Sequence, residues 1–216
     1  MEIKYLGHSS FLLKGSQGRV VTDPYDPAML GKKFPKVEAE IVTVSHHHQD
    51  HNASNLVEGN PLILDLPGEY EKSGIRVFGY ESFHDGKQGA ERGKNTLFKI
   101  EIDDITVLHC GDLGHMLSDE TIEEIEQIDV LLIPVGGFYT ISAEEATQVV
   151  SKLEPAYVIP MHYNVPGFSQ DLMSKLAPVS DFLQKIGATE TVPIDKLIIK
   201  KQDIGEDMKV VVLNNS

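Results

Sequence analysis

The sequence predicts an α/β protein (α+β in some classification schemes) in which sheets pack together and helices lie outside them. Strand-like runs dominate the first half of the 216 residues, strands alternate with helices in the second half, and no repeat or linker interrupts this order. Strands and helices that each carry one apolar face bury those faces by forming layers. We expect a single domain over residues 1–216, because a chain of this length can bury one large core.

Short apolar runs typical of β-strands fill the first half. The turn-forming residues 15–18 (GSQG) separate two of these runs, which predicts a hairpin. Asp103 and Asp104 mark a second tight turn. The predicted strands cover residues 2–6, 10–14, 19–22, 41–44, 61–66, 75–80, 96–102 and 105–109.

Helical patterns begin in the second half. Residues 118–128 carry Ile122 and Ile125 at helical spacing, with acidic residues in the first turn. Ser142 and Glu145 match a capping box, which predicts a helix that continues to about residue 153. The remaining predicted elements are a helix over 179–186 that ends at Gly187 and strands over 129–135, 156–160, 196–200 and 208–213.

The charge of the chain argues against polyanionic partners. Its formal net charge is −14, so its average field repels nucleic acids and anionic membranes. No apolar run approaches the ~18 residues that a membrane span requires. We expect a small-molecule substrate, no nucleic acid and no membrane partner, and the oligomeric state stays open.

Cysteine usage and the N-terminus favour the cytoplasm. Cys110 is the one cysteine, so it cannot form an internal disulfide, and a reducing compartment is expected. Residues 1–5 show no basic region followed by a long apolar stretch, and a secretory signal is therefore not expected.

A histidine-rich segment directly follows a predicted buried strand. In extended backbone, residues two apart point the same way, so His46 and His48 can converge on one ion while His47 faces elsewhere. Asp50 and His51 come where the chain turns, and they can reach a second ion nearby. Imidazole and carboxylate ligands suit zinc and also tolerate iron, manganese or cobalt. A polar surface loop that is merely rich in histidine is the alternative.

Four residues on one loop cannot fill two coordination shells, so further ligands must come from other strand ends. His84, Asp112 and His162 each lie just beyond an apolar predicted strand. Taken singly, each would more often be a capping or surface residue. Taken together with the histidine loop, they complete a candidate site for two metal ions.

The loop from His46 to His51 reads H-x-H-x-D-H, and Gly111-Asp112 follows a later strand. These motifs resemble those of the metallo-β-lactamase fold superfamily. The closer resemblance is to a subgroup of small hydrolases that includes the ascorbate-6-phosphate lactonases, and N-acylphosphatidylethanolamine phospholipase D is a more distant relative. The segments that carry the resemblance are residues 5–10, 110–114, 132–137 and 159–163.

The resemblance implies a four-layer αββα sandwich, the metallo-β-lactamase fold, with two divalent metal ions at one edge of the sheets. Zinc is the expected metal, with Mn²⁺ or Fe²⁺ as alternatives. By matching position, the expected ligands are His46, His48 and His84 for the first ion, Asp50, His51 and His162 for the second, and Asp112 as a bridge. Asp23 resembles an early aspartate that orients a ligand histidine in this family, or it is a turn residue before proline.

Two ions that share a hydroxide would make the protein a metal-dependent hydrolase. The expected catalytic residues are Asp50, which would stabilise the ions and orient the hydroxide, together with His8 and Tyr163. His8 is the first candidate for the proton donor to the leaving group, with Tyr139, Tyr163 and His115 as others. A hydrogen-bonded histidine at a strand turn is the alternative for His8. Cys110 is expected to be a buried free thiol.

Residues 86–93, directly after His84, form a segment that is longer and more charged than a metal-site turn needs. Lys87, Arg92 and Lys94 could bind a phosphate there, or they could be solvated loop charges.

The expected reaction is cleavage of an ester, lactone, amide or phosphodiester bond in a small substrate. A di-iron redox enzyme of the same fold is one alternative, although His48 stands where the flavin-coupled members have glutamate. A non-catalytic metal-binding module is the other, and the complete set of ligand positions argues against it.

Overall fold

The computed structural model describes residues 1–205 and 207–215, and within them the strands form two mixed sheets. The strands are β1 (Glu2–Gly7), β2 (Ser10–Lys14), β3 (Arg19–Thr22), β4 (Ile41–Thr43), β5 (Leu62–Leu64), β6 (Gly68–Lys72), β7 (Ile75–Phe83), β8 (Lys94–Ile102), β9 (Ile105–His109), β10 (Val130–Pro134), β11 (Tyr157–Met161), β12 (Leu197–Ile198) and β13 (Lys209–Val210). The helices are α1 (Pro27–Leu30), α2 (Asp119–Ile125), α3 (Ala143–Leu153), α4 (Gln170–Met173) and α5 (Val179–Ile186), with 3₁₀ turns at Ser54–Leu56 and Lys201–Asp203. The first sheet has the order β12-β1-β2-β3-β4-β5, and the second has the order β13-β11-β10-β9-β8-β7-β6.

The strands of the first sheet bury both of their faces. Val20 of β3 and Ile41 of β4 pack in the core between the sheets, whereas the next residues, Val21 and Val42, pack in a second core on the outer face. Successive strand residues point to opposite faces, so one continuous apolar run can supply both cores. Residues of α1 and α4 complete the outer core.

Helices also cover the outer face of the second sheet. Ile125 of α2, Val149 of α3 and Phe182 of α5 belong to the same buried cluster as Leu131 of β10. The order of layers is therefore helix, sheet, sheet, helix, which confirms the predicted four-layer sandwich. The capping box at Ser142 and the end of α5 before Gly187 are also as predicted.

Parallel pairing brings the carboxyl ends of strands from both sheets to one edge of the sandwich. In the first sheet β3, β4 and β5 run parallel, and in the second sheet β9, β10, β11 and β13 do so. The chain leaves β4 towards His46, β9 towards Asp112 and β11 towards His162. Ligands of open α/β sheets usually bind outside the carboxyl ends of the strands.

Several elements differ from the sequence-based expectation. The strand β6 was not predicted, because it is an exposed edge strand whose alternating glutamates show no apolar face and which is held by pairing with β7. The helices α1 and α4, of four residues each, were also not predicted. The helix α2 ends at Ile125 instead of continuing to residue 128, because Glu126 adopts a φ of 60°. The last two strands cover two residues each, fewer than predicted. Among the described residues, no helix is long and apolar enough to cross a bilayer.

Candidate metal centre

Three histidines form a first group at the rim of the site. His46 Nε2 lies 3.0 Å from His48 Nδ1, and the His84 ring lies 4.8 Å from the His46 ring between centroids. One nitrogen from each of these residues lies within 4.8 Å of the other two. The alternation along the extended segment after β4 brings His46 and His48 together, as predicted, and places His47 on the exposed surface.

A second group lies deeper and contains His8 as well as the predicted Asp50, His51 and His162. Ligand atoms of these four buried residues lie within 4.8 Å of one another. His8 Nε2 lies 3.1 Å from Asp50 Oδ2, and the His8 ring lies 4.3 Å from the His162 ring between centroids. The sequence predicted His8 near the reaction but not among the possible metal ligands.

Asp112 lies between the two groups, and it belongs to neither. Its Oδ2 is 3.2 Å from His84 Nε2 of the first group and 3.2 Å from His162 Nε2 of the second. Its Oδ1 is 3.3 Å from His51 Nε2. Burial alone would raise the pKa of Asp112, but the facing His162 and His51 hold that pKa well below its usual range. A buried carboxylate in contact with both groups can bridge two ions.

The unsatisfied atoms of the site fit bound cations. His51 Nε2 and Asp112 Oδ1 are buried and have no hydrogen-bond partner among the described residues. Buried polar atoms nearly always have partners in folded proteins, so such atoms call for an explanation. The imidazole nitrogens and carboxylate oxygens that face one another here are the donors that zinc and similar divalent ions take.

The electrostatics favour the ligand-competent form of the first group. Burial and the nearby His51 lower the pKa of His46 to about 3. Burial and the neighbouring His84 also lower the pKa of His48. Both imidazoles are therefore neutral at pH 7, which is the form that binds metal ions.

Asp23 orients His51 from behind. Its Oδ2 accepts a hydrogen bond from His51 Nδ1 at 2.9 Å, while Ser45 donates to the same carboxylate through its backbone N–H at 2.7 Å and its hydroxyl at 2.5 Å. This leaves His51 Nε2 facing Asp112. Of the two interpretations of Asp23, the contacts support the one in which it orients a ligand histidine.

The backbone at the site adopts conformations that side chains other than glycine rarely take. His8, Asp23 and His162 have φ angles of 57°, 38° and 51°. Left-handed backbone at such residues costs of order 1–3 kcal/mol and often accompanies function. Gly114 relieves a close approach nearby, because a Cβ there would lie 2.3 Å from the backbone carbon of His84.

The segment after His84 is an ordered loop built around Asp85. The buried Asp85 carboxylate accepts hydrogen bonds from the backbone N–H groups of Lys87 and Gly89 at 2.8 and 3.0 Å and of Glu91 and Arg92 at 3.0 and 2.7 Å. Burial raises the pKa of Asp85, but these four bonds outweigh it and lower the pKa to about 2. The sequence did not explain the length of this segment. In the structure, the segment is long enough to place four backbone N–H groups around the Asp85 carboxylate.

The two groups open into a cavity of about 420 Å³. Residues from other elements complete its lining. The lining residues that bear on the chemistry are His48, Asp50, His84, Asp112 and His162 from the candidate metal centre, and Met29, Arg92, Tyr139 and Leu172 around it.

Two of the candidate proton donors lie away from this cavity. Tyr163 packs in the core against Tyr5, with ring centroids 6.3 Å apart, and burial raises its pKa to about 12. The turn after β11 directs the neighbouring His162 to the site and Tyr163 to the core, so this geometry does not support the expected catalytic role of Tyr163, which stays a prediction. His115 accepts a hydrogen bond from the Phe83 backbone N–H and pairs with the Met116 carbonyl, so it braces the end of β7.

Two supporting residues had no recognisable sequence signal. His109 Nε2 lies 2.8 Å from the Ser9 carbonyl oxygen, and its Nδ1 accepts a hydrogen bond from the Gly111 N–H at 3.2 Å. Asn95 Oδ1 accepts a hydrogen bond from the Asp112 N–H at 2.9 Å. Both residues lie on strands and fix the loops that carry His8 and Asp112, and only the pairing of the sheets reveals these contacts.

Residues 2–162 match the family model of the beta-lactamase superfamily domain. A UPF0173 metal-dependent hydrolase of Thermococcus onnurineus is 30% identical over 192 residues, which cover 76% of this chain and 85% of the relative. A Thermotoga maritima crystal structure, assigned as a Zn-dependent hydrolase of the metallo-beta-lactamase superfamily, is 39% identical, with a TM-score of 0.82 over 98% of this chain and 97% of the other. CmlA, a diiron beta-hydroxylase from Streptomyces venezuelae, is 13% identical with a TM-score of 0.62 over 88% of this chain and 49% of its own, and it shares the fold alone.

Proposed function

The chain belongs to the metallo-β-lactamase superfamily and is a metal-dependent hydrolase, and we propose that it works with a pair of zinc ions. The observation that carries the proposal is the position of Asp112, which contacts histidines of both groups. The proposed ligands are His46, His48 and His84 for the first ion, Asp50, His51 and His162 for the second, and Asp112 as the bridge.

Two bound ions would lower the pKa of a shared water to about 7 and so supply a hydroxide nucleophile at neutral pH. Asp50 lines the cavity and belongs to the second group. His8 lies behind Asp50, with its side chain fully buried and its Nε2 3.1 Å from Asp50 Oδ2. We assign His8 the role of orienting Asp50, because a substrate in the cavity meets Asp50 first.

Zinc is the proposed metal because the donors are imidazoles and carboxylates, and because the structure with 39% identity is assigned to a Zn-dependent hydrolase. The cavity of about 420 Å³ matches the size of one small molecule. We propose a small substrate with a hydrolysable ester, lactone, amide or phosphodiester bond. The buried, unpaired Cys110 is consistent with a cytoplasmic protein.

Metal content and hydrolysis test the proposal together. The chain offers a matched pair of variants, because His47 and His48 are adjacent and only His48 belongs to a metal-binding group. We expect two zinc ions per chain by elemental analysis after zinc reconstitution, a deficit of about one ion in His48→Ala, and no deficit in His47→Ala. Chelation should abolish hydrolysis of chromogenic ester, lactone, amide or phosphodiester substrates, and zinc should restore it.

Two outcomes would contradict the proposal. Equal zinc content in both histidine variants would remove His48 from the ligand set. Tightly bound iron with an EPR signal in protein purified without added metal, together with no hydrolysis, would favour a redox enzyme of the same fold, the class to which CmlA belongs.

A further inference from the structure

We propose that the cavity binds substrates that carry an anionic oxygen group, a carboxylate or a phosphate, and that Arg92 binds this group with help from Tyr139 and Lys175. The inference rests on the proposed hydrolase function, because it names the substrate class of the same cavity. It assigns a role to residues that lie outside the metal-binding groups.

Arg92 differs from the other arginines in its surroundings. Arg19 and Arg76 each form an ion pair with glutamate, whereas no carboxylate of residues 1–205 and 207–215 lies within 4.0 Å of the Arg92 guanidinium nitrogens. Lys87 and Lys94, which flank Arg92 in the sequence, are exposed and pair with glutamates. Of the cations on this stretch of chain, Arg92 is therefore the one that keeps its charge available.

The position of Arg92 is fixed by the fold. Its backbone N–H donates to Asp85 at 2.7 Å, and its side chain lies over the Tyr139 ring, with Cζ 5.3 Å from the ring centroid. Stacking of a guanidinium on an aromatic face holds the guanidinium in place and leaves its N–H groups available to a ligand. The Asp85 loop thus connects the ligand His84 to a cation on the wall of the same cavity.

Lys175 is a second cation next to Tyr139 and the neighbouring Phe138. Its Nζ donates to Tyr139 Oη at 3.0 Å and lies 5.5 Å from the Phe138 ring centroid. Because Tyr139 Oη accepts this bond, its own proton is free to be donated to a ligand. Within the described part of the chain, Lys175 has no carboxylate within ion-pair distance, so Arg92, Tyr139 and Lys175 form an unpaired cationic cluster beside the cavity.

This cluster stands out against the charge of the whole chain. The protein has 33 acidic and 19 basic residues, so carboxylate partners are abundant, yet no carboxylate of the residues that the structure describes forms an ion pair with these two cations. A planar guanidinium matches the two oxygens of a carboxylate or phosphate with parallel hydrogen bonds. Met29 and Leu172 also line the cavity, so the anionic group should belong to a substrate with an apolar part.

Three esters with one leaving group test the preference on the zinc-loaded protein. We would compare the p-nitrophenyl esters of pentanoic acid, of glutaric acid with its free carboxylate, and of 4-phosphonobutanoic acid. We expect kcat/KM for at least one anionic ester to exceed that for the neutral ester about ten-fold or more. Comparison of the glutaric acid ester with the 4-phosphonobutanoic acid ester then shows whether the cavity prefers a carboxylate or a phosphate-like group. Arg92→Ala should abolish the preference by raising KM for the anionic esters, while Arg92→Lys should retain part of it.

The matched control is Lys87→Ala, which removes the same charge from the same loop at an exposed, paired position. It should retain the preference for anionic esters. A wild-type enzyme that favours the neutral ester, or an Arg92→Ala variant that slows all three esters equally, would overturn the inference.

A binding measurement separates this inference from the proposed function. Glutarate and inorganic phosphate would be titrated calorimetrically into the zinc-loaded wild type, Arg92→Ala and Lys87→Ala proteins. We expect Arg92→Ala to weaken at least one anion about ten-fold or more, which corresponds to about 1.4 kcal/mol, and Lys87→Ala to leave both unchanged. If no ester is cleaved but this pattern holds, the proposed ester hydrolysis fails and the anion site stands. If esters are cleaved and Arg92→Ala binds both anions as the wild type does, the anion site fails alone.

Discussion

Asp23→Asn tests whether the orientation of His51 sets the affinity of the metal centre. The Asp23 carboxylate is fully buried and accepts three hydrogen bonds, two from Ser45 and one from His51 Nδ1. An asparagine of the same shape keeps one acceptor oxygen and places an amide NH₂ against groups that are donors. The substitution therefore disturbs the support of His51 without creating a cavity.

The expected size of the effect follows from these three contacts. Hydrogen bonds to charged groups contribute about 1.5–3 kcal/mol each, and the substitution loses at least one of them, so we expect a loss of about 2–4 kcal/mol in unfolding free energy. For a chain of 216 residues this corresponds to a fall in Tm of roughly 5–15 °C. Loss of a partner that orients a metal-binding histidine typically weakens metal affinity about 10–100-fold.

The assay is zinc competition with a chromophoric chelator, with thermal unfolding measured on the same samples. Asp26→Asn is the control, because Asp26 lies three residues away, is partly exposed, and accepts one bond from the Ala28 N–H at 2.8 Å, a capping role that asparagine also fills. Wild-type zinc affinity in Asp23→Asn, even with a lower Tm, would refute the orienting role and leave Asp23 as a structural residue.

Three further results are expected. Removal of the metal ions by chelation should lower Tm by roughly 10–20 °C when the holoprotein is measured at free zinc of about 100 times the Kd of each site, since each of the two proposed ions then contributes about 2.7 kcal/mol; an unchanged Tm would mean that no ion binds the native state. Gly114→Ala should reduce zinc content as well as stability, because its Cβ would displace the backbone of His84, whereas Gly187→Ala should lower stability alone. Cys110 should resist thiol reagents at pH 8 in the native state and react after unfolding, because it is fully buried and burial raises the pKa of its thiol; rapid native labelling would contradict this.

Local patterns were sufficient for much of the site. The convergence of His46 and His48 depends on side-chain alternation in extended backbone, which two residues of separation already determine. The capping box at Ser142 and the helix end at Gly187 likewise depend on neighbouring residues. The arrival of His84, Asp112 and His162 at one place was predictable only as ligand-type residues at strand ends, together with the family resemblance.

The contacts of the residues around the site follow from the tertiary structure alone. His8 reaches Asp50 across 42 positions and His109 reaches Ser9 across 100, and neither contact has a local pattern. Tyr163 turns into the core although its motif neighbour, His162, turns to the metal centre. The sequence left open whether Arg92 is a solvated loop charge. In the structure its backbone N–H donates to Asp85, and its side chain lies over the Tyr139 ring.

The sequence by itself determined the layered α/β class, which follows from the periodicity of apolar residues, and the donor types of the histidine-rich loop, whose side chains are near each other in the chain. Only the folded structure decided which residues support this loop, which residues line the cavity, and that Arg92 lies there without a carboxylate partner among the described residues. The reason is physical: these contacts depend on how two twisted sheets align at their edge, and that alignment is set by the packing of the whole core.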